Sequence, residues 1–195
     1  MLRPLFFVWS TLFLSQLHAQ TISTVSTRWN DSFVEWDIYA SEGQDEAEST
    51  DPPEEVLYGE LKLRWLNVRD DFSEWTYELN GERGTIKQKW KNDPTQWELR
   101  TYTGDVVTMR ASWSNDFSEW RLTNNSFSLT LGSRWKNRLD EWLTDDPNRG
   151  KFYIYTLREQ DPRDWAVEDN LSEEVNEPMK MALIFLAIYH STPKL

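Results

Sequence analysis

The sequence predicts an all-β protein with one helix: a closed, up-and-down antiparallel barrel of twelve strands in six hairpins around a buried C-terminal hydrophobic helix. Three observations carry this. Tryptophans recur in pairs at the two ends of short blocks, apolar residues alternate on either side of each block, and the chain ends in a run that is apolar on nearly every side.

In chain order, residues 1–19 read as a secretory signal peptide: Arg3, an apolar run over residues 5–14, then a polar stretch ending at Ala19. The apolar run is too short for a membrane-spanning helix, which needs about 20 residues. The expected location is therefore secreted or periplasmic, with residues 20–195 forming one domain. There is no cysteine, so an exported fold has to hold without disulfides. Acidic residues outnumber basic ones, 33 to 21, for a net charge of -12. That balance argues against nucleic acid as a partner, since phosphate binding needs massed Lys and Arg.

Six Trp-marked blocks follow. Four have eight residues with Trp at both ends: Trp29 to Trp36, Trp90 to Trp97, Trp113 to Trp120 and Trp135 to Trp142. Two are longer, Trp65 to Trp75 and Tyr155 to Trp165. The closing tryptophans stand at 36, 75, 97, 120, 142 and 165, so the last five are 22 or 23 residues apart. One hairpin fits that period, whereas a four-stranded propeller blade needs about 40 residues. Asp followed by Pro, Phe or Ser in the block centres is turn chemistry.

Around the turns, apolar residues alternate as a half-buried strand requires. Leu61, Leu63 and Trp65 share one parity, as do Val107, Met109, Ala111 and Trp113. Outgoing arms repeat the pattern in Trp75, Tyr77 and Leu79, in Trp97 and Leu99, and in Trp120 and Leu122. All the indoles in phase with these aliphatics are accordingly expected in the core. Reversals between hairpins are signalled at Asn80-Gly81, Gly84, Gly104-Asp105, Asn124-Asn125 and residues 145–148. The segment 42–55, acidic and without a basic residue, reads as a solvated loop.

Residues 178–190 open with Pro178, are apolar all round, and are followed by Pro193. They read as a buried core helix about 20 Å long, too short to span a membrane. Twelve strands about 4.8 Å apart and tilted by about 40° close at a radius of roughly 12 Å. A helix takes about 5 Å of that radius, leaving room for inward aromatics. Closure also removes exposed sheet edges.

The six Trp blocks and the helix over residues 179–190 give an organisation that resembles the tubby-like superfamily, with its LURP-one-related proteins and phospholipid scramblases. The resemblance implies a twelve-stranded barrel around a hydrophobic C-terminal helix and concerns fold alone. The Trp repeat with its Asn-Asp turn also looks like that of small exported bacterial proteins with no assigned activity.

Residues suited to catalysis are few. His190 is the only histidine after His18 and sits in the core helix, where a satisfied core or helix-end role is expected. Glu74, Glu119 and Glu141 each precede a closing tryptophan, and a repeated position is what a scaffold residue looks like. Asp31, Asp71, Asp93, Asp116 and Asp161 share one end of the barrel; a carboxylate ring there would suit Ca²⁺, and turn formation explains the same residues without an ion. No cofactor, metal or enzymatic activity is expected.

One surface carries a binding expectation. Positions of parity opposite to the tryptophans are rich in base: Lys62, Arg64, Lys87, Lys89, Lys91, Arg100, Arg110, Arg121, Arg134 and Lys136. Lys87, Lys89, Lys91, Arg100, Arg110, Arg121 and Arg134 are the candidate ligand-binding residues, for an anionic lipid headgroup or polysaccharide. Cross-strand pairing, such as Lys91 near Glu98, would account for the same residues on a solvated face. Of the readings open to the sequence, an exported, non-catalytic interaction or structural module leads, and the anion-binding module is the alternative.

Overall fold

The computed structural model describes residues 20–42, 54–66, 71–136 and 138–194. Residues 1–19, the expected signal peptide, and residues 43–53 of the acidic segment lie outside them; Glu42 ends one strand and Glu55 begins the next. Twelve strands run in chain order: β1 (Gln20–Trp29), β2 (Ser32–Glu42), β3 (Glu55–Leu63), β4 (Glu74–Leu79), β5 (Glu82–Gln88), β6 (Gln96–Thr101), β7 (Val106–Trp113), β8 (Asp116–Thr123), β9 (Ser128–Trp135), β10 (Arg138–Asp146), β11 (Gly150–Arg158) and β12 (Asp161–Leu171). Each pairs antiparallel with its neighbours in sequence, and Val25 opposite Trp165 closes β1 onto β12. The helix α1 (Glu177–Ser191) follows, one residue longer at each end than the predicted span.

Alternation sets the two faces. In β4, Trp75, Tyr77 and Leu79 are buried while Glu74, Thr76 and Glu78 face outward. Asn80 (φ 50°) and Gly81 (φ 78°) join β4 to β5 with two positive-φ residues, the geometry of a hairpin whose twist matches its strands. Gly84 is not a reversal: it lies inside β5 facing the core. A Cβ there would stand 2.2 Å from the Arg100 carbonyl oxygen and 2.8 Å from the Tyr77 ring, so the glycine makes room for an aromatic on the next strand.

The helix fills the barrel because its whole circumference is apolar. Residues from Met181 to Tyr189 are all buried. Asn176 caps it, its side chain accepting from the Met179 amide, and Pro178 sits in the first turn, where a missing N–H costs nothing. Lys180 in the same turn meets the buried Asp169 carboxylate of β12 at 2.7 Å. Tyr58 on β3 donates to Glu177 at 2.9 Å, so both sides of the wall hold this end of the helix.

The opposite end is an aromatic layer. All six closing tryptophans are buried, and each indole N–H donates to the carbonyl three residues earlier at 2.9–3.1 Å: Phe33, Phe72, Pro94, Phe117, Leu139 and Pro162 are the acceptors. Each indole thus buries its ring without leaving its donor unpaired. Trp97 meets Phe185 and Tyr189 of the helix edge-on at 4.9 and 4.7 Å. Trp142 also donates to Ser191 at 3.0 Å.

The opening tryptophans correct the expectation of an all-core indole set. Trp29, Trp65, Trp90, Trp113 and Trp135 are 57%, 40%, 59%, 63% and 49% exposed. Trp120 lies opposite Ala111 and Leu131 and completes the inner layer. Trp113 stands opposite Asp116, two residues nearer the turn, about 7 Å beyond that layer, after a register shift. The same shift separates Thr27 from Trp29. Parity is therefore satisfied, but the opening indoles have run past the end of the core.

His190 stacks on Phe117 at 5.0 Å and lies 4.7 Å from Trp120, and its Nε2 is buried without a hydrogen-bond partner. Burial, with a smaller push from the Lys194 ammonium, lowers its pKa to about 3. The unfolded chain takes up that proton near pH 6.5 and the folded one does not until about 3. Between those values the unfolded state binds more protons, so stability falls as pH falls. The urea midpoint is expected to drop from pH 7 to 4.5, above the range of the turn carboxylates, and His190→Phe is expected to flatten that slope. An unchanged midpoint in the parent protein would show the ring to be solvated.

Candidate binding face at the hairpin rim

The turn acids come first, because they shape the rim. Asp71, Asp93, Asp116 and Asp161 each accept from the backbone N–H two residues on, at 3.1, 2.9, 2.9 and 3.3 Å. The hydroxyls of Ser73, Thr95 and Ser118, followed by these backbone bonds, hold the carboxyls of Asp71, Asp93 and Asp116 below their usual range. For Asp161 the largest lowering comes from the Arg163 guanidinium. Among the described residues no three His, Cys, Asp or Glu side chains converge as a metal site would require. Each of these four acids is turned onto its own hairpin, and Asp31 makes no such bond among the described residues.

The base-rich wall divides. Arg100 is bound to Glu98 at 2.6 Å, and Arg134 to Glu141 at 3.1 Å, so these two guanidiniums are already neutralised. Lys87 lies between Glu74 and Glu98 on the adjoining strands. This replaces the expected Lys91–Glu98 pair, since Lys91 is beyond the last paired residue of β5 and its charge acts on Asp71 in the neighbouring turn. Glu74 itself is bonded to Arg64, and Glu141 also accepts from Tyr153 at 2.6 Å.

Lys89, Arg110 and Arg121 form the remaining group. The Lys89 amide donates to the Gln96 carbonyl at 3.0 Å, Gln96 is opposite Arg110, Arg110 is opposite Arg121, and Arg121 is opposite Thr130. Directly opposed residues share a face, so a single transverse row on the outer wall reads Lys89, Gln96, Arg110, Arg121, Thr130. No carboxylate interrupts it. Like charges directly opposite destabilise a strand pair, and neither arginine has an acidic side chain within ion-pair distance among the described residues. Arg121 donates to Ser128 at 3.2 Å, and Asp93 feels Arg110 as a weaker influence than its own Thr95.

Beside the row lies a groove of about 410 Å³ lined by Gln96, Arg110, Ser112, Trp113 and Arg121. Trp90 and Trp113, the two most exposed indoles, stand at the rim of this sector. Sequence reasoning placed the cations but missed these indoles. A signal existed: in Trp113-Ser-Asn-Asp the turn begins at the next residue, and Asn115 has φ 62°, so the tryptophan is the last residue of its strand.

Comparison of the chain with known protein families, curated proteins and solved structures finds no match in any of the three. The structure shows the architecture, a closed twelve-stranded antiparallel barrel with a C-terminal helix, and no relationship to the tubby-like superfamily is shown.

Proposed function

We propose that the protein is an exported, non-catalytic interaction module that holds an anionic group, phosphate, sulfate or carboxylate, against the outer wall between β5 and β9. The observation that carries this reading is the Arg110–Arg121 cross-strand pair, two guanidiniums set against each other with no acid in their row. An anion bridging them relieves the repulsion and gains charge-assisted hydrogen bonds. Export rests on the leader over residues 1–19, and the non-catalytic part on the absence of cysteine and the burial of the one histidine after His18.

Dextran sulfate is a suitable probe. Binding is expected at low ionic strength and is expected to weaken as salt rises. The Arg110→Gln/Arg121→Gln pair should reduce affinity by about tenfold or more, equivalent to about 1.4 kcal/mol. Arg100→Gln, which removes a guanidinium already bound to Glu98, should change it little. Equal binding by the double variant, or no salt-sensitive binding by the parent, refutes the proposal.

A further inference from the structure

We infer that the hairpin rim is a docking surface for an anionic lipid bilayer, with Trp90 and Trp113 in the interfacial layer and Lys89, Arg110 and Arg121 on the headgroups. This rests on the anion-binding reading above and names the surface that presents the anions.

The crown of indoles is the first support. Trp29, Trp65, Trp90, Trp113 and Trp135 all sit at the hairpin end, on five different hairpins. Successive hairpins are two strands apart, about 10 Å, so the crown spans roughly 24 Å of a near-circular rim. An isolated exposed indole needs no explanation; five at one end of one molecule mark a contact surface. Tryptophan is the side chain of the water–bilayer boundary, having an apolar body and one donor for carbonyl or phosphate oxygen.

Charge then selects the sector. The Trp29 indole donates to Glu35 at 2.5 Å and that of Trp135 to Glu141 at 3.3 Å. Arg64 lies over Trp65 and Arg134 over Trp135, at 5.1 and 5.2 Å. Trp90 and Trp113 have no such protein partner among the described residues, and they flank the row of unneutralised cations. Aromatic side chains at the rim with cations set just behind them are complementary to an anionic interface, whose surface potential attracts basic residues close to it.

Shape selects a plane over a chain. A glycan threads a groove and stacks on aromatics within it, but of these indoles only Trp113 lines the groove beside the row. The others project from separate hairpins around a convex rim, where a flat surface meets several at once. The walls themselves stay in water: Glu60, Lys62, Glu78, Arg83, Glu98 and Arg100 carry paired charge on the outward face, within a strand or across two. The mode is therefore docking at the surface, with indoles entering about 5–10 Å.

Co-sedimentation with vesicles of phosphatidylcholine, alone or mixed with phosphatidylglycerol, tests this, with dextran sulfate run in parallel. The expected result is binding to the anionic vesicles only, reduced about fivefold or more in Trp90→Ser, which lies outside the groove, while dextran sulfate binding and the thermal midpoint stay unchanged. Parent protein that binds dextran sulfate but not anionic vesicles overturns the bilayer inference and leaves the anion reading standing. Binding to neither removes both. Undiminished vesicle binding by the tryptophan variant, equal binding to neutral vesicles, or equal loss of vesicle and dextran sulfate binding with an intact midpoint each overturns the assignment of the crown to a bilayer.

Discussion

Removal of residues 178–195 is expected to abolish folding, giving insoluble chain or a soluble species without a cooperative unfolding transition. Eleven residues of α1 are buried, and among the described residues they are, with Val175, the apolar partner of the strands' inner faces across a lumen of roughly 12 Å radius. Fully burying one large aliphatic or aromatic side chain is worth about 1.5–3 kcal/mol, so loss of this set exceeds the roughly 5–15 kcal/mol by which a domain is stable. A water-filled lumen would also expose the closing indoles. A soluble truncation with the parent's tryptophan emission and a sigmoidal urea curve would show that the wall stands alone.

Within one repeat, two tryptophans should differ sharply. Trp97→Ala is expected to cost about 3–5 kcal/mol, the range for removing a large buried aromatic. Trp97 is fully buried, touches Phe185 and Tyr189, and leaves the Pro94 carbonyl without its donor when removed. Trp90→Ala, seven residues earlier in the same block, should change stability by about 0.5 kcal/mol or less, as exposed positions do. Urea denaturation of the two variants side by side decides. Similar losses would mean that the opening indoles are part of the core after all.

Much of the architecture could be read from residues whose environment is set locally. Strand β6 makes the point: Gln96 and Glu98 face outward because Trp97 and Leu99 face in, and the closing indole's bond to the Pro94 carbonyl is contained within four residues. The helix was legible for the complementary reason that a segment apolar on all sides has only one place to go. What could not be read depended on other strands. Gly84 looks like a turn until Tyr77 is beside it, and Trp113 looks like core until Trp120 has filled the layer below. The candidate site has the same limit. Arg110 and Arg121 stood in the sequence as two basic residues of one parity, while their direct opposition depends on a register shift near the turn. The loss of Arg100 to Glu98 is a contact within β6 decided by side-chain reach.

The order of the strands has a consequence for biogenesis. Since every strand pairs with its neighbour in sequence, a ribosome or a translocation pore that releases the chain from its N-terminus can let each hairpin form as it emerges. The wall nevertheless cannot shut until β12 finds β1, and the plug is delivered after that. Nascent chains of every intermediate length are thus open ribbons with a wet apolar side, compact enough to avoid knots yet unable to lock. Commitment to the native state waits until β12 and α1 have emerged, which makes shielding of the half-built ribbon the step at which a chaperone matters most.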